Sequence, residues 1–156
     1  MPPKSVCVDA GQGRALWIAG DLVTIKLTGD ETGEAFTAIE TTVPPGGGPP
    51  LHVHRREDET FFVLEGAITF TVGDMEITAP KGTCAFGPRD TPHRYFNATD
   101  KPARMLVVIS PAGFEKYFEK VGTPVNDLTE PPPPVTPEVI EKLLGAAEAH
   151  GLEFVQ

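Results

Sequence analysis

Short stretches in which apolar and polar residues alternate run through most of this chain. Between residues 22 and 27, the apolar Val23, Ile25 and Leu27 alternate with polar side chains, which is the period of a strand with one buried face. Strands are predicted at residues 15–18, 22–27, 35–43, 60–64, 67–72, 75–79, 83–86 and 103–110. Turns rich in Gly, Pro and Asp separate strands at intervals of about 8 to 12 residues, which indicates an all-β sandwich or barrel of the jelly-roll type.

The sequence also predicts the burial of individual strands and the positions of loops. Residues 105–109 are apolar on both faces, which favours a strand buried between layers. Residues 29–33 are predicted to form a polar loop, and the Gly- and Pro-rich residues 44–50 are predicted to form a loop at the mouth of a site. Cys84, within the strand at 83–86, is expected to be a small buried core residue.

The end of the chain changes to a helical pattern. Residues 113–121 place Phe114, Tyr117, Phe118 and Val121 at helical spacing, which predicts a short helix packed on the barrel. We therefore divide the chain into a barrel domain at 1–122, ending in this helix, and a tail at 123–156. The tail begins with a Pro-rich linker.

A second helix is predicted in the tail, from Thr136 as N-cap to about residue 150, with Gly151 as its stop. Its predicted buried stripe comprises Val139, Ile140, Leu143, Leu144 and Ala147. This stripe packs against the barrel or against a partner subunit, and residues 152–155 are expected to add an edge strand.

Length and charge narrow the classes of function. The 156 residues suit one domain. The net charge of −9 argues against nucleic acid and anionic membranes as partners. The first residues lack the apolar segment of a signal peptide, and the two cysteines, Cys7 and Cys84, are too few for a disulfide framework. These features predict a cytoplasmic protein.

Candidate metal ligands lie in the middle of the chain. His52 and His54 are two residues apart in an extended segment, so both rings leave the same face of one strand. Glu59 follows at the start of the next strand and adds a carboxylate, and His93 is a fourth candidate. A single histidine is more often a surface or core residue than a ligand, but this combination is the mixed nitrogen and oxygen set that divalent metals prefer.

Two longer motifs surround these residues and resemble those of the cupin superfamily. The first motif is filled by Gly46, His52, His54, Glu59 and Gly66, and the second by Gly82, Pro88, His93 and Asn97. Asp90 stands where the second motif has glycine, and Asp tolerates the positive-φ turn expected there. The resemblance is to small single-domain cupins similar to quercetin 2,3-dioxygenases, and it implies a cupin-type jelly-roll β-barrel, or double-stranded β-helix, with a helical extension.

The resemblance also implies a function. His52, His54, Glu59 and His93 would bind one divalent ion, which could be Fe, Mn, Ni, Cu or Zn, and would leave one or two coordination positions open. The leading hypothesis is a dioxygenase acting on a small enolisable or aromatic compound, with Glu59 as general base. The alternatives are a non-redox isomerase, cyclase or lyase, and a non-catalytic module that binds small molecules. The resemblance and the apolar C-terminal helix together favour a homodimer.

Alternation along the strands predicts the wall of the substrate pocket. Phe61 and Val63 share the face of Glu59, and Tyr95 and Asn97 share the face of His93. We predict these four residues as substrate-binding, although Phe61 and Tyr95 could equally fill the core, and Asn97 could close a turn or bond a ligand histidine. The Glu57 and Asp58 pair is expected to form a solvated hairpin tip. Arg55 and Arg56 read as surface counter-charges or as an anchor for a substrate anion.

Overall fold

Two antiparallel sheets make up most of the structure, a computed structural model that describes residues 2–156. The strands are β1 (Arg14–Ile18), β2 (Asp21–Leu27), β3 (Thr37–Val43), β4 (His52–His54), β5 (Asp58–Glu65), β6 (Ala67–Val72), β7 (Met75–Pro80), β8 (Cys84–Gly87), β9 (His93–Phe96), β10 (Ala103–Ser110), β11 (Thr123–Pro124) and β12 (Leu152–Phe154). The helices are α1 (Gly29–Thr32), α2 (Glu115–Val121) and α3 (Pro137–Ala147).

The two sheets enclose the hydrophobic core between them. The larger sheet has the order β11-β1-β2-β3-β10-β5-β8, and the smaller has the order β12-β4-β9-β6-β7. Phe61 from β5 and Phe70 from β6 meet in the core with ring centroids 5.1 Å apart, so the buried faces of the two sheets pack on each other. The predicted all-β jelly-roll fold with a C-terminal helix is confirmed.

The strand predictions are correct in position, but two predictions of burial are wrong. On β10, Met105, Val107 and Ile109 are buried, whereas Leu106 and Val108 are only half-buried, so this strand buries one face and not two. Cys84 is exposed, because it pairs with Phe62 on the outer face of the larger sheet, and Phe62 is also exposed.

The helices contact the strands and one another, with α1 against β2, α2 against β1 and α3, and α3 against β12. Residues 29–32, predicted as loop, form the short helix α1, because Thr28 caps it and Glu31 bonds back to the Thr28 backbone in a capping box. Helix α2 lies within the predicted range. Helix α3 starts after Thr136, whose side chain accepts a hydrogen bond from Val139 N at 3.3 Å, and a 3-10 turn carries it to Gly151, which has a φ of 68°.

The predicted buried stripe of α3 is only partly correct. Ala147 is buried and Leu143 is half-buried, but Ile140 is 40% exposed and Leu144 is 53% exposed. The reason is that this part of α3 lies over the open mouth of a cavity and not over a closed core. The Tyr117 hydroxyl on α2 donates to Leu143 O at 2.9 Å and attaches α3 to the barrel.

The tail packs on the barrel of its own chain. Strand β12 pairs with β4 through Leu152 opposite His54 and Phe154 opposite His52, which confirms the predicted edge strand. The exposed Arg55 binds Glu153 at 2.9 Å and Asp90 at 3.1 Å, so it acts as a surface counter-charge. The homodimer stays a prediction. Among residues 2–156, no helix combines the length and the apolar character needed to cross a bilayer.

Candidate metal centre

Four buried side chains from three strands converge inside the barrel. Strand β4 supplies His52 and His54, β5 supplies Glu59 and β9 supplies His93. Each residue offers a ligand atom, and these atoms all lie within 4.8 Å of one another. The Glu59 Oε2 atom lies 2.6 Å from His93 Nε2 and 3.2 Å from His54 Nε2. The structure therefore brings together all four of the predicted ligands.

Backbone carbonyls orient two of the three imidazoles. His52 Nδ1 lies 2.8 Å from Pro50 O, and His93 Nδ1 lies 3.1 Å from Thr91 O. In both cases the carbonyl belongs to the residue two positions earlier, so Nδ1 donates outward and Nε2 is left for the centre. Such preset tautomers suit metal ligation, and the set of three imidazoles and one carboxylate could hold a divalent ion.

The electrostatics of the cluster are dominated by burial and by Glu59. Burial lowers the pKa of His52 to about 4. Burial acts in the same direction on His54, but the nearby carboxylates of Glu59 and Glu57 outweigh it and raise the pKa of His54 to about 9. Burial alone would raise the pKa of Glu59, yet the charge of His54 and hydrogen bonds from His54 and His93 hold it below the ordinary value. Glu59 is therefore ionised at neutral pH.

Glu57 is not part of a solvated hairpin tip, and this prediction is wrong for that residue. Its side chain is buried, and its Oε2 atom lies 3.6 Å from Nδ1 of His54. Asp58, by contrast, pairs with Arg89 near the surface at 3.1 Å. Glu57 follows the bends at Arg55 and Arg56, whereas Asp58 is the first residue of β5, and the two adjacent acids end in opposite environments.

The loop at Asp90 has the expected shape, although Asp90 stands where the second cupin motif has glycine. Asp90 has a φ of 65°, in the left-handed region that was expected, and its backbone N donates to His54 O at 2.8 Å. The loop before His93 is thereby tied to the strand that carries two other ligands.

A cavity of about 340 Å³ opens onto the cluster. Aromatic and aliphatic side chains from the barrel, α2 and α3 make up most of its wall, and the Gly48 to Pro50 loop forms part of the rim, as predicted. The Phe114 ring packs against the His54 ring with centroids 4.5 Å apart. A cavity of this volume is at the lower end of those that enclose small molecules.

The structure separates the four predicted substrate residues into two pairs. Phe61 and Tyr95 line the cavity, with ring centroids 6.1 Å apart. Val63 is fully buried in the core and Asn97 lies outside the cavity wall. The side chain of Asn97 donates to Val43 O at 3.0 Å and to Lys101 O at 2.7 Å and accepts from Thr99 N at 3.0 Å, so it closes a turn.

Three residues of the site were not found from the sequence. Asp21, at the start of β2, lines the cavity, and its Oδ2 accepts a hydrogen bond from the Tyr95 hydroxyl at 3.0 Å. Phe114 was assigned only to a helix packed on the barrel, and Glu57 was assigned to the surface. No sequence motif relates these residues to the histidines. The bends after His54 bring Glu57 to the site, and the position of β2 beside β3 brings Asp21 there.

Comparison with known proteins agrees with this geometry. Residues 39–109 match the family model described as "Cupin domain". The chain is 28% identical to quercetin 2,3-dioxygenase of Bacillus subtilis (strain 168) over 75% of this chain and 34% of that protein. It is 29% identical to quercetin 2,3-dioxygenase of Aspergillus japonicus over 76% of this chain and 36% of that protein.

One of the similar solved structures is the sugar phosphate isomerase of the cupin superfamily from Silicibacter pomeroyi. It is 27% identical, has a TM-score of 0.55, and the match covers 67% of this chain and 75% of that chain. Residues 39–109, which carry the buried cluster and most of the two facing sheets, therefore form a cupin domain. The chain is similar to the quercetin 2,3-dioxygenases, although it spans only about a third of the length of the two that it matches.

Proposed function

We propose that this chain is a metal-dependent dioxygenase that acts on a small, planar enolisable or aromatic compound of the flavonol type. The observation that carries the proposal is the buried cluster of three histidines and one glutamate at the wall of a mostly apolar cavity. The names of the two quercetin 2,3-dioxygenases supply the substrate class. A bound Fe, Mn, Ni or Cu ion would supply electron exchange with dioxygen, whereas Zn would supply Lewis acidity only.

Glu59 is proposed as the proton acceptor. It is the carboxylate at the centre of the cluster, and the neighbouring imidazoles keep it ionised at neutral pH. An enolic hydroxyl that enters the cavity would meet Glu59 Oε2 beside His54 and His93, and the proton would move to that oxygen. The surrounding apolar wall excludes water and strengthens the interaction between the resulting anion and the cationic centre.

Phe61 and Tyr95 are proposed to hold the plane of the substrate, together with Phe114. The Phe61 ring contacts both ends of the site, since its centroid lies 6.0 Å from that of His93 and 6.1 Å from that of Tyr95. Aromatic faces at this spacing favour offset or edge contacts with another ring. This arrangement supports a planar substrate that extends from the cluster of histidines toward Tyr95.

The second candidate is a metal-dependent isomerase, cyclase or lyase that does not use oxygen. The similar solved structure with isomerase in its name favours this class. However, no Lys or Arg is among the described residues that line the cavity, so no basic side chain there could bind a phosphate group. An uncharged substrate is therefore more consistent with the cavity under either hypothesis.

Oxygen consumption tests the proposal. The protein should be stripped of metal, loaded in turn with Fe(II), Mn(II), Ni(II) or Cu(II), and mixed with flavonols, 1,3-diketones and catechols at an oxygen electrode. At least one combination should consume oxygen in proportion to substrate, and His93→Ala should lower its metal content and its rate together. Turnover under strict anaerobiosis would favour the second candidate. Ligand binding that survives chelation, with no turnover, would favour a non-catalytic binding protein.

A further inference from the structure

His54 differs from the other two histidines of the cluster in what lies behind its ring. Nδ1 of His52 and Nδ1 of His93 each face a backbone carbonyl. Nδ1 of His54 is buried and has no hydrogen-bond partner among residues 2–156. The group it faces is the Glu57 carboxylate, whose Oε2 atom lies 3.6 Å away.

Both of the facing atoms lack a hydrogen-bond partner in the part of the chain that the structure describes. Glu57 Oε2 is also buried and also lacks a hydrogen-bond partner within the described chain, and only 5% of Glu57 is exposed. Leaving a buried donor and a buried acceptor unsatisfied is costly, and the cost is higher for a charged group. A closure of the 3.6 Å gap by a few tenths of an ångström would satisfy both atoms with one hydrogen bond.

We propose that Glu57 is a positioning residue for the metal centre, and that its carboxylate accepts a hydrogen bond from Nδ1–H of His54 when Nε2 of His54 binds the metal. The inference rests on the proposed function only in requiring a metal at the cluster, and not in requiring oxygen or a flavonol. Glu57 would set the tautomer of His54 and make its ring a stronger donor. Together with Glu59, it would bring two carboxylates to the site, which matches the charge of a divalent cation.

The chain provides a matched control at the next position. Asp58 carries the same charge one residue away, but its carboxylate accepts hydrogen bonds from the backbone N of Arg89 at 2.9 Å and from its guanidinium at 3.1 Å. Asp58→Asn therefore removes one negative charge from the same turn without touching His54. Glu57→Gln keeps the shape and an acceptor oxygen, and Glu57→Leu removes the acceptor.

Zn(II) affinity, measured by competition with a chromophoric chelator, is the first readout. We expect Glu57→Leu to weaken binding about 10- to 100-fold, the usual loss for a residue that orients a metal ligand. Glu57→Gln should weaken binding about 10-fold, because a neutral acceptor makes a weaker hydrogen bond. Asp58→Asn should match wild type. If Glu57→Gln binds Zn(II) as tightly as Asp58→Asn does, the proposal is wrong, even if the enzyme consumes oxygen.

The second readout is the proton NMR spectrum of the Co(II)-loaded protein, in which ring N–H protons of ligand histidines are shifted out of the main envelope. Wild type should show three exchangeable signals that resist solvent exchange. Glu57→Leu should lose or accelerate one of them, and a purely structural role for Glu57 would not select a single ring. Three protected signals in Glu57→Leu would overturn the proposal. Because Glu57→Gln preserves side-chain volume, it provides a test even if Glu57→Leu does not fold.

Discussion

Asp21 should make the stability of this protein fall as the pH rises through neutrality. Only 5% of this residue is exposed, and its Oδ1 atom has no hydrogen-bond partner among residues 2–156. Burial raises the pKa of Asp21 from 3.8 to about 7, although the hydrogen bond from Tyr95 favours the charged form and acts in the opposite direction. In the folded state, the carboxyl therefore stays largely protonated until the pH approaches about 7.

The sign and size of the effect follow from this pKa. A carboxyl whose pKa is higher in the folded state than in the unfolded state binds more protons in the folded state. Its contribution to stability is complete below about pH 3.8 and is lost as the pH rises through about 7. The two pKa values differ by about 3, and each pKa unit is worth about 1.4 kcal/mol, so the full loss is at most about 4 kcal/mol. Between pH 5 and pH 8 the expected loss is about 2 to 3 kcal/mol.

Comparison with Asp21→Asn isolates this contribution. Asn is isosteric, keeps an acceptor for the Tyr95 hydroxyl and does not ionise. Urea unfolding of both proteins should be measured from pH 5 to pH 9 in EDTA, so that metal release does not contribute. The other titrating groups act in both proteins, and the difference between the two free energies of unfolding therefore reports Asp21. This difference should change by about 2 to 3 kcal/mol in favour of the variant between pH 5 and pH 8.

A second variant checks the physical cause. Tyr95→Phe removes the hydrogen bond that favours the charged carboxylate, so the loss of stability should extend to higher pH. Free energies of wild type and Asp21→Asn that stay parallel within about 0.5 kcal/mol across this range would refute the reasoning. Such a result would mean that Asp21 is ionised and solvated in the folded protein.

Three other predictions concern the support of the site. Gly48 has a φ of 127°, and an added Cβ would lie 2.1 Å from Tyr95 O, whereas Gly46 has open space around it. Gly48→Ala should therefore lower the free energy of unfolding by several kcal/mol, and by much more than Gly46→Ala does. Urea titration of both variants measures the difference. Deletion of residues 152–156 removes the strand paired with β4 and should weaken Zn(II) binding about 10-fold, by chelator competition, with the barrel still folded by circular dichroism. Because the pKa of His54 is raised to about 9, a metal ion that binds near pH 7 must displace a proton from His54. Zn(II) affinity should therefore rise about 10-fold from pH 7 to pH 8. Calorimetry in two buffers with different ionisation enthalpies should detect the released proton.

The four candidate metal ligands could be predicted from the sequence, two of them because their geometry is local to one strand. The two-residue spacing of His52 and His54 places both rings on one face whatever the rest of the chain does, and the cupin motifs then relate this strand to Glu59 and His93. The positions of the strands could be predicted equally well, since the turns between them are marked by Gly, Pro and Asp.

Burial was harder to predict where a strand is short or a residue borders a turn. A four-residue strand such as β8 carries no period that distinguishes its two faces, and the sequence therefore could not indicate that Cys84 faces solvent beside Phe62. Glu57 and Asp58 are adjacent acids, and nothing in the pair itself indicates that Glu57, before β5, faces His54 and that Asp58, the first residue of β5, pairs with Arg89. The contact between Asp21 and Tyr95 joins strands from different sheets, which no local pattern reports.

The tail of the chain supports the candidate metal centre directly. Strand β4 has three residues, and its only pairing with β9 is at His52 opposite His93. Its other edge pairs along its whole length with β12, and Arg55 N just after it donates to Gly151 O at 2.8 Å. Two of the four candidate ligands therefore depend on β12 for the hydrogen bonds that keep their strand extended. Since α3 lies over the cavity mouth and is joined to β12 by a single 3-10 turn, movement of the tail would alter access to the cavity and the position of the candidate ligands together.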